Sequence, residues 1–475
     1  MKGKTRADID SYGYINARVR VMKSLLLGRD FYEELIRTHE FMSLISLLEK
    51  SPYRVEVEEC AISKSEMAGV DEALKRNLAR NFRRILNFTA GEPHDLILLL
   101  LGRWDLHNII TLLRGVHIKE TPEQILESLI PAGELEIPFL EQLSQQKTIK
   151  EIIGLLAVWG SSYAKALNDK YKEYIDQNDL PILELSLYKA YYQYVLDLIK
   201  NKSYNSKILE ELIFYEIDAI NATTILRLQL MNIEDLMHKK EEEKKTEKKE
   251  EKKGKKGSGE KVEPEPQKEE NTLWGKLLQE RRSGGIIFTT KKKSNILIRL
   301  LRNSFYLLKE YFKSSKIICN CRKKYVTKYG TKKIVKEVKL KDTVSYTEDD
   351  VKKRVKEYFV PGGNEISEER FVKMCLTMDV ENVLKELGST SFGVILKSVL
   401  QRFLEHNSIS VLERKIEEMV IKRGASVYNK NSLSVGIPIG YIWRKYNEVV
   451  NLRIIMRCKK VGMPESKIRE ELVLI

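Results

Sequence analysis

One short pattern is written three times along this chain and constrains its fold more than any other feature: an acidic residue, Asn three positions on, and Arg six beyond that. The copies are Asp105, Asn108, Arg114, then Asp218, Asn221, Arg227, then Glu448, Asn451, Arg457. Aliphatic residues fill each copy, as in Ile109-Ile110-Thr111-Leu112-Leu113, Thr223-Thr224-Ile225-Leu226 and Leu452-Arg453-Ile454-Ile455-Met456. Each therefore reads as a helix with a buried side. At this spacing the acid and the Asn share one helix face, and the Arg emerges on the other side, ~180° from the acid. Asn is a mediocre helix former whose side chain competes for backbone hydrogen bonds. Its recurrence points to a structural role, that of a buried amide bridging neighbouring helices, with an Arg in the last turn suited to the negative helix C-terminus.

Further features recur in register. A long amphipathic helix precedes each copy, through Leu74, Leu78, Phe82, Ile85 and Leu86, through Leu187, Tyr191, Tyr194, Val195 and Ile199, and through Leu412, Ile416, Met419 and Val420. Earlier still, an aliphatic run ends in a hydroxyl-plus-aromatic turn: Ser51-Pro52-Tyr53, Ser161-Ser162-Tyr163 and Thr390-Ser391-Phe392. After the Arg, Thr121-Pro122-Glu123 and Met463-Pro464-Glu465 place Pro and then Glu at a helix start. The expected fold is all-α, with three helical repeat units at 1–119, 120–236 and 342–475.

The third unit is set apart by an insertion, 237–341. Pro131-Ala132-Gly133 follows Arg114 by 17 residues, whereas the matching Pro361-Gly362-Gly363 lies 134 beyond Arg227. The insertion opens with a Lys/Glu tract, His238 to Lys256, and continues through a Gly/Ser/Pro-containing stretch to Glu270. Such composition cannot bury enough apolar surface to order a packed core, so the insertion is expected to be partly disordered, with the Lys/Glu run able to form a solvated helix. Further along the insertion, Ser294 to Phe312 reads as a basic amphipathic helix, and 323–341 as short strands. Between Arg281 and Lys341 stand nineteen Lys or Arg against two acids, an excess larger than the +15 of all 475 residues, so the remainder is nearly neutral. The 281–341 stretch reads first as a small accessory subdomain with a solvated basic face, then as a candidate surface for anionic lipid, with nucleic acid the lesser expectation.

Several function classes lose support. There is no P-loop, HExxH or dinucleotide fingerprint. Six histidines are dispersed, and Cys319-Asn320-Cys321 lacks a second ligand pair at finger spacing, so no metal, cofactor or catalytic residue is expected. The longest aliphatic run, Leu96 to Leu101, is far shorter than the ~20 residues that span a bilayer. A polar N-terminus and five scattered cysteines suit a reducing cytoplasm without a signal peptide.

The opening Tyr12-Gly13-Tyr14-Ile15-Asn16-Ala17-Arg18-Val19-Arg20-Val21-Met22-Lys23-Ser24, the stretch from Arg103-Trp104-Asp105 to Leu113-Arg114-Gly115, and the closing Glu448 to Arg457 resemble the C subunit of the archaeal-type (A/V-type) rotary ATP synthase, the counterpart of the d subunit of the eukaryotic vacuolar ATPase. The resemblance covers about 1–236 and 342–475. Leu25 stands where that family often has Arg, and the basic insertion has no counterpart in its pattern. The resemblance implies three similar helical bundles in a pseudo-threefold funnel, acting as a non-catalytic rotor adaptor on the cytoplasmic face of a membrane. Its implied partners are the central-stalk shaft subunits and the membrane rotor ring. Asn16, Arg18, Arg20 and Lys23 are the candidate structural or partner-facing residues, with Tyr14 and Met22 turned to the core.

The alternative is a helical scaffold or nucleic-acid-binding protein that uses the insertion. Deleting 237–341 separates the two: nucleic-acid affinity, measured by filter binding, is lost under the alternative, while assembly into a rotary complex survives under the rotor reading.

Overall fold

In the computed structural model, residues 6–61, 66–177, 180–200, 203–254, 348–376, 380–393, 396 and 409–475 are described. The chain divides into two units, Leu230–Asn303 and the remainder. Of the smaller, only the helical stretch to Gly254 is described. The basic amphipathic segment at 294–312, the strands expected within 323–341 and the Cys319/Cys321 pair lie outside the described residues.

The fold is all-α, and no strand occurs among the described residues. Helices Arg6–Ser24, Arg29–Arg37, Phe41–Glu49, Arg54–Ala61 and Glu66–Asn87 lead to the first signature helix, Gly91–His117. Helices Pro122–Ser128, Ile137–Ser144, Ile149–Val158, Ser162–Gln177 and Pro181–Ile199 lead to the second, Tyr204–Gly254. Helices Glu348–Glu357, Glu368–Leu376, Val380–Leu387 and Ile409–Ser426, then a short 3-10 turn, lead to the third, Gly436–Lys460, which Glu465–Glu471 follows. One brace helix stands ahead of each signature helix: Glu66–Asn87, Pro181–Ile199 and Ile409–Ser426.

The local chemistry explains these boundaries. Thr121 caps Pro122–Ser128 with a reciprocal capping box to Gln124, and Thr148 does the same for Ile149–Val158 with Glu151. The hydroxyl-plus-aromatic turns have one construction: Ser51 and Thr390 donate to the carbonyls of Leu48 and Leu387, each 2.6 Å. In all three turns the aromatic residue's amide donates back to the hydroxyl oxygen two residues earlier, at 3.2 Å for Tyr53 and 3.3 Å for Tyr163 and Phe392. A helix thus ends, and the aromatic ring is aimed inward, by the same device three times.

The signature helices form the core. Leu100, Leu101, Ile109, Leu112 and Leu113 of the first, Ile217 and Ile225 of the second, and Val450, Leu452 and Met456 of the third are fully buried. Gly91–His117 is long and apolar enough to cross a membrane, but 72% of its most apolar window is buried inside the protein. It is apolar nearly all round because neighbours cover it nearly all round. The brace helices bury Leu74, Leu78, Phe82, Ile85, Leu187, Tyr191, Val195, Ile199, Leu412, Ile416 and Val420. Tyr194, expected among them, is 47% exposed, because it falls one step off the buried stripe. The second signature helix runs unbroken to Gly254, past the boundary expected at 236 and through the Lys/Glu tract. Glu and Lys are both good helix formers, and the tract sets opposite charges three positions apart, as at Glu241/Lys244, Glu242/Lys245 and Lys248/Glu251.

Leu100→Ala is expected to cost about 2–5 kcal/mol in urea unfolding, whereas Val158→Ala, at a position 87% exposed, is expected to stay within about 0.5 kcal/mol.

Candidate functional site

The three signatures make one set of contacts three times. On the first helix, the amide nitrogen of Asn108 donates to the carbonyl of Ile130 and its oxygen accepts from the Ile130 N–H, both at 2.8 Å. Asn221 clamps Val360 in the same two-way manner, at 2.8 and 3.0 Å. Asn451 clamps Val473 at 2.8 and 3.1 Å. The bridge predicted between helices is in fact a bridge from helix to a non-helical segment. Such a segment has no ladder of its own to satisfy its amides, and a side-chain amide offers both a donor and an acceptor.

The acid of each signature holds a neighbouring stretch of backbone. Asp105 accepts from the N–H groups of Glu134 and Leu135 at 2.8 and 2.9 Å. Asp218 accepts from Asn364, Glu365 and Ile366 at 2.9, 2.9 and 3.0 Å. Both carboxylates approach a glycine so closely that a Cβ at Gly133 or Gly363 would overlap them. Glu448 accepts instead from the N–H of Leu27 at 2.6 Å, the Tyr53 hydroxyl at 2.7 Å and the Lys445 ammonium at 2.7 Å. Burial lifts the Asp105 pKa to about 7 against the pull of the Leu135 and Glu134 amides, and raises that of Asp218. Burial, with Arg114 and Arg453 nearby, lowers His107 to about 3, so it is a neutral packed residue at neutral pH.

The arginines connect the three sets in closed order. Arg114 makes a two-pronged pair with Glu184 of the second brace helix, 2.7 Å on each prong. Arg227 pairs with Glu413 of the third. Arg457 pairs with Asp71 of the first at 2.8 Å, and Arg453 joins it at 3.1 Å. Arg227 sits mid-helix, so the expected role of complementing a helix C-terminus does not apply to it; an ion pair takes that place. Two residues before each signature acid stand Arg103, Glu216 and Tyr446. Arg103 pairs with Glu216 at 3.3 Å and lies 4.4 Å from the centre of the Trp443 ring, which meets Tyr446 edge-on at 6.1 Å.

The N-terminal candidates take different positions. Asn16 is buried and donates to the carbonyls of Ser432 and Ser434 at 3.0 and 3.2 Å. Arg20 reaches the Ser432 carbonyl at 3.3 Å, Arg18 donates to the Tyr14 hydroxyl at 2.6 Å, and Lys23 lies 4.1 Å from the centre of the Tyr428 ring. Met22 is buried, but Tyr14 is 55% exposed and does not face the core. Sequence reasoning missed the brace-helix acids Asp71, Glu184 and Glu413. Each lies three residues ahead of a buried aliphatic, Leu74, Leu187 and Ile416, so a spacing signal existed. No cluster of metal-ligating side chains occurs among the described residues.

A model of the ATP synthase (C/AC39) subunit family matches residues 15–245 and 338–471. The chain is 35% identical over 232 residues to the A-type ATP synthase C subunit of Methanococcoides burtonii, covering 49% of this chain and 63% of that one. It is 34% identical to the corresponding protein of Methanosarcina acetivorans, covering 49% and 62%. To the V-type ATP synthase C subunit of Deinococcus radiodurans it is 30% identical, covering 45% and 59%. The chain thus spans less than two thirds of the length of these curated relatives.

Substituting Asn108, Asn221 or Asn451 by Ala is expected to cost about 1–3 kcal/mol each, and Gly133→Ala or Gly363→Ala about 1–3 kcal/mol by overpacking, in denaturant unfolding. Glu184→Ala, which strands a buried guanidinium, is expected to cost about 3–5 kcal/mol, and the double change Arg114→Met with Glu184→Leu much less. The pKa shifts give stability a pH dependence with two opposed parts. Asp105, raised, contributes stability that is full below pH ~4 and lost as pH rises towards 7, whereas His107, lowered, costs stability as pH falls below ~6.5. Asp105→Asn is therefore expected to make stability rise more steeply with pH between about 4 and 7.

Proposed function

Because the chain belongs to the ATP synthase (C/AC39) subunit family, we propose that it is a non-catalytic adaptor of a rotary ATP synthase or ATPase, connecting the central stalk to the ion-translocating ring of the membrane. In this reading three helical units, at 1–119, 120–236 and 342–475, surround an axis as a funnel on the cytoplasmic side. They receive the foot of the shaft and rest on the ring as a peripheral subunit. The observation that carries it is the closed order of Arg114–Glu184, Arg227–Glu413 and Arg457–Asp71. A body whose three parts are each pinned to the next by a buried or half-buried ion pair resists shear between them, and a densely packed interior transmits strain with little compression. Ion flow through the ring would then turn this subunit and the shaft together. Hydrolysis in a catalytic head would run the same coupling backwards.

The repeat-signature residues serve in this reading as the internal bracing. The exposed Arg18 and Arg20 and the half-buried Lys23 are the candidates for contact with other subunits.

Reconstitution of the complex with and without this chain tests the proposal. Omission is expected to detach the head from the membrane or to uncouple ATP turnover from ion movement; full ion-coupled activity without the chain would overturn it.

A further inference from the structure

Most buried or half-buried cations of this protein have a carboxylate. Arg114, Arg227, Arg453, Arg457, Arg103 and Lys445 are each paired with an acid. In one place two cations that lack such a partner share a single aromatic ring. Lys23, from the Arg6–Ser24 helix, lies 4.1 Å from the centre of the Tyr428 ring, and the Arg444 guanidinium, from the third signature helix, lies 5.6 Å from the centre of the same ring. Neither forms an ion pair with an acid among the described residues. Nearby, Arg20 spends one nitrogen on the Ser432 carbonyl, and Lys430 is already taken by Glu211 at 2.6 Å. The Nε of Arg444 is sealed from solvent and has no hydrogen-bond partner.

An aromatic ring attracts a cation but does not neutralise it. Two cations on one ring repel each other, and a half-buried guanidinium with an unmet N–H loses solvation without compensation. The direction in which both groups titrate agrees. Burial and then Arg444 lower the pKa of Lys23, and burial lowers that of Arg444, with only Tyr428 opposing. Three elements, the Arg6–Ser24 helix, the 3-10 turn Val427–Asn429 and the third signature helix, converge here on one ring with two cations and no ion-paired acid among the described residues.

We propose that Lys23, Arg444 and the Tyr428 ring form a binding site for a phosphate-class oxyanion. Charge selects that class. A carboxylate brings one negative charge to two cations, whereas a phosphate monoester at neutral pH brings about −1.5 to −2 together with several strong acceptor oxygens. A guanidinium fork and an ammonium point charge are complementary devices for such a group. Arg20, exposed on the helix that carries Lys23, adds to the positive potential. The phosphate is either free in solution or the headgroup of a lipid, and the test separates the two.

The full chain is titrated at low ionic strength with inorganic phosphate, sulfate, acetate and chloride, with binding read by calorimetry and by the shift in Tm. Saturable binding of phosphate and sulfate, with acetate and chloride much weaker, is expected. Arg444→Gln and Lys23→Gln are each expected to weaken phosphate binding about tenfold or more. In the absence of anion both variants should melt at or above the wild-type temperature, because like-charge repulsion has been removed. Arg444→Lys keeps the charge and loses the fork, and should bind phosphate more weakly while folding normally. Exposed Arg54→Gln is the control and should bind as wild type does. Flotation with vesicles containing phosphatidic acid, compared with neutral vesicles, identifies the source. Capture lost in Arg444→Gln and Lys23→Gln assigns a lipid headgroup, and capture unchanged by those variants, beside variant-sensitive binding of free phosphate, assigns a soluble one. Absence of saturable phosphate binding, an equal response to acetate, or phosphate binding unchanged in both Gln variants would overturn the proposal.

Discussion

A charge taken out of water must be met by an opposite charge or by hydrogen bonds, and the interior of this protein is arranged around that requirement. Arg114 and Glu184 are both buried, as are Lys445 and Glu448. Removing the solvent from such groups costs several kcal/mol per ion, which the pairing offsets only when geometry is good. The two-pronged Arg114–Glu184 contact is of that kind. Its consequence is positional rather than energetic. A guanidinium that has one acceptable partner fixes the angle and register of the helix that carries it against the helix that carries the acid. Apolar packing alone, tolerant of sliding, would not do this.

The same logic accounts for a difference between the three copies. In the first two, the acid is Asp and grips backbone amides beside a glycine, whose missing Cβ lets a short carboxylate come close. The third acid is Glu, one methylene longer, and it reaches the Leu27 amide with no glycine cradle. The extra length leaves room for Lys445 and the Tyr53 hydroxyl on the same carboxylate. Burial lowers the pKa of Lys445 while Glu448 holds it up, and burial followed by Glu448 pushes that of Tyr53 far above the usual phenol value. An outwardly conservative change from Asp to Glu therefore marks a different solution to one problem.

Much of this was legible in the sequence because helical periodicity is a strong signal when a segment is long and one-sided. The aliphatic stripe of Glu66–Asn87 and the helix start at Pro122 could be read directly. What could not be read was the partner of each polar side chain. Asn at an interior position announces that its amide is satisfied; it does not say by what, and the answer was non-helical backbone rather than another helix. The brace acids stood at regular spacing but look like ordinary solvated helix residues until the opposing arginine is placed. Tyr14 and Tyr194 were misplaced for a related reason: tyrosine is amphipathic, and periodicity alone cannot tell a ring that packs from one that stands at the rim.

The three sets of contacts are alike in space and unlike along the chain. Asn108 meets a residue 22 positions away and Asn221 one 139 away, while Glu448 receives its amide from a residue 421 positions earlier. During ribosomal synthesis the first clamp can close almost at once, the second must wait for the insertion to emerge, and Asp71 stays without Arg457 until the chain has grown 386 residues further. The last junction brings together segments 386 positions apart, so its closure is the step at which a nascent chain is most exposed to mispairing with another copy.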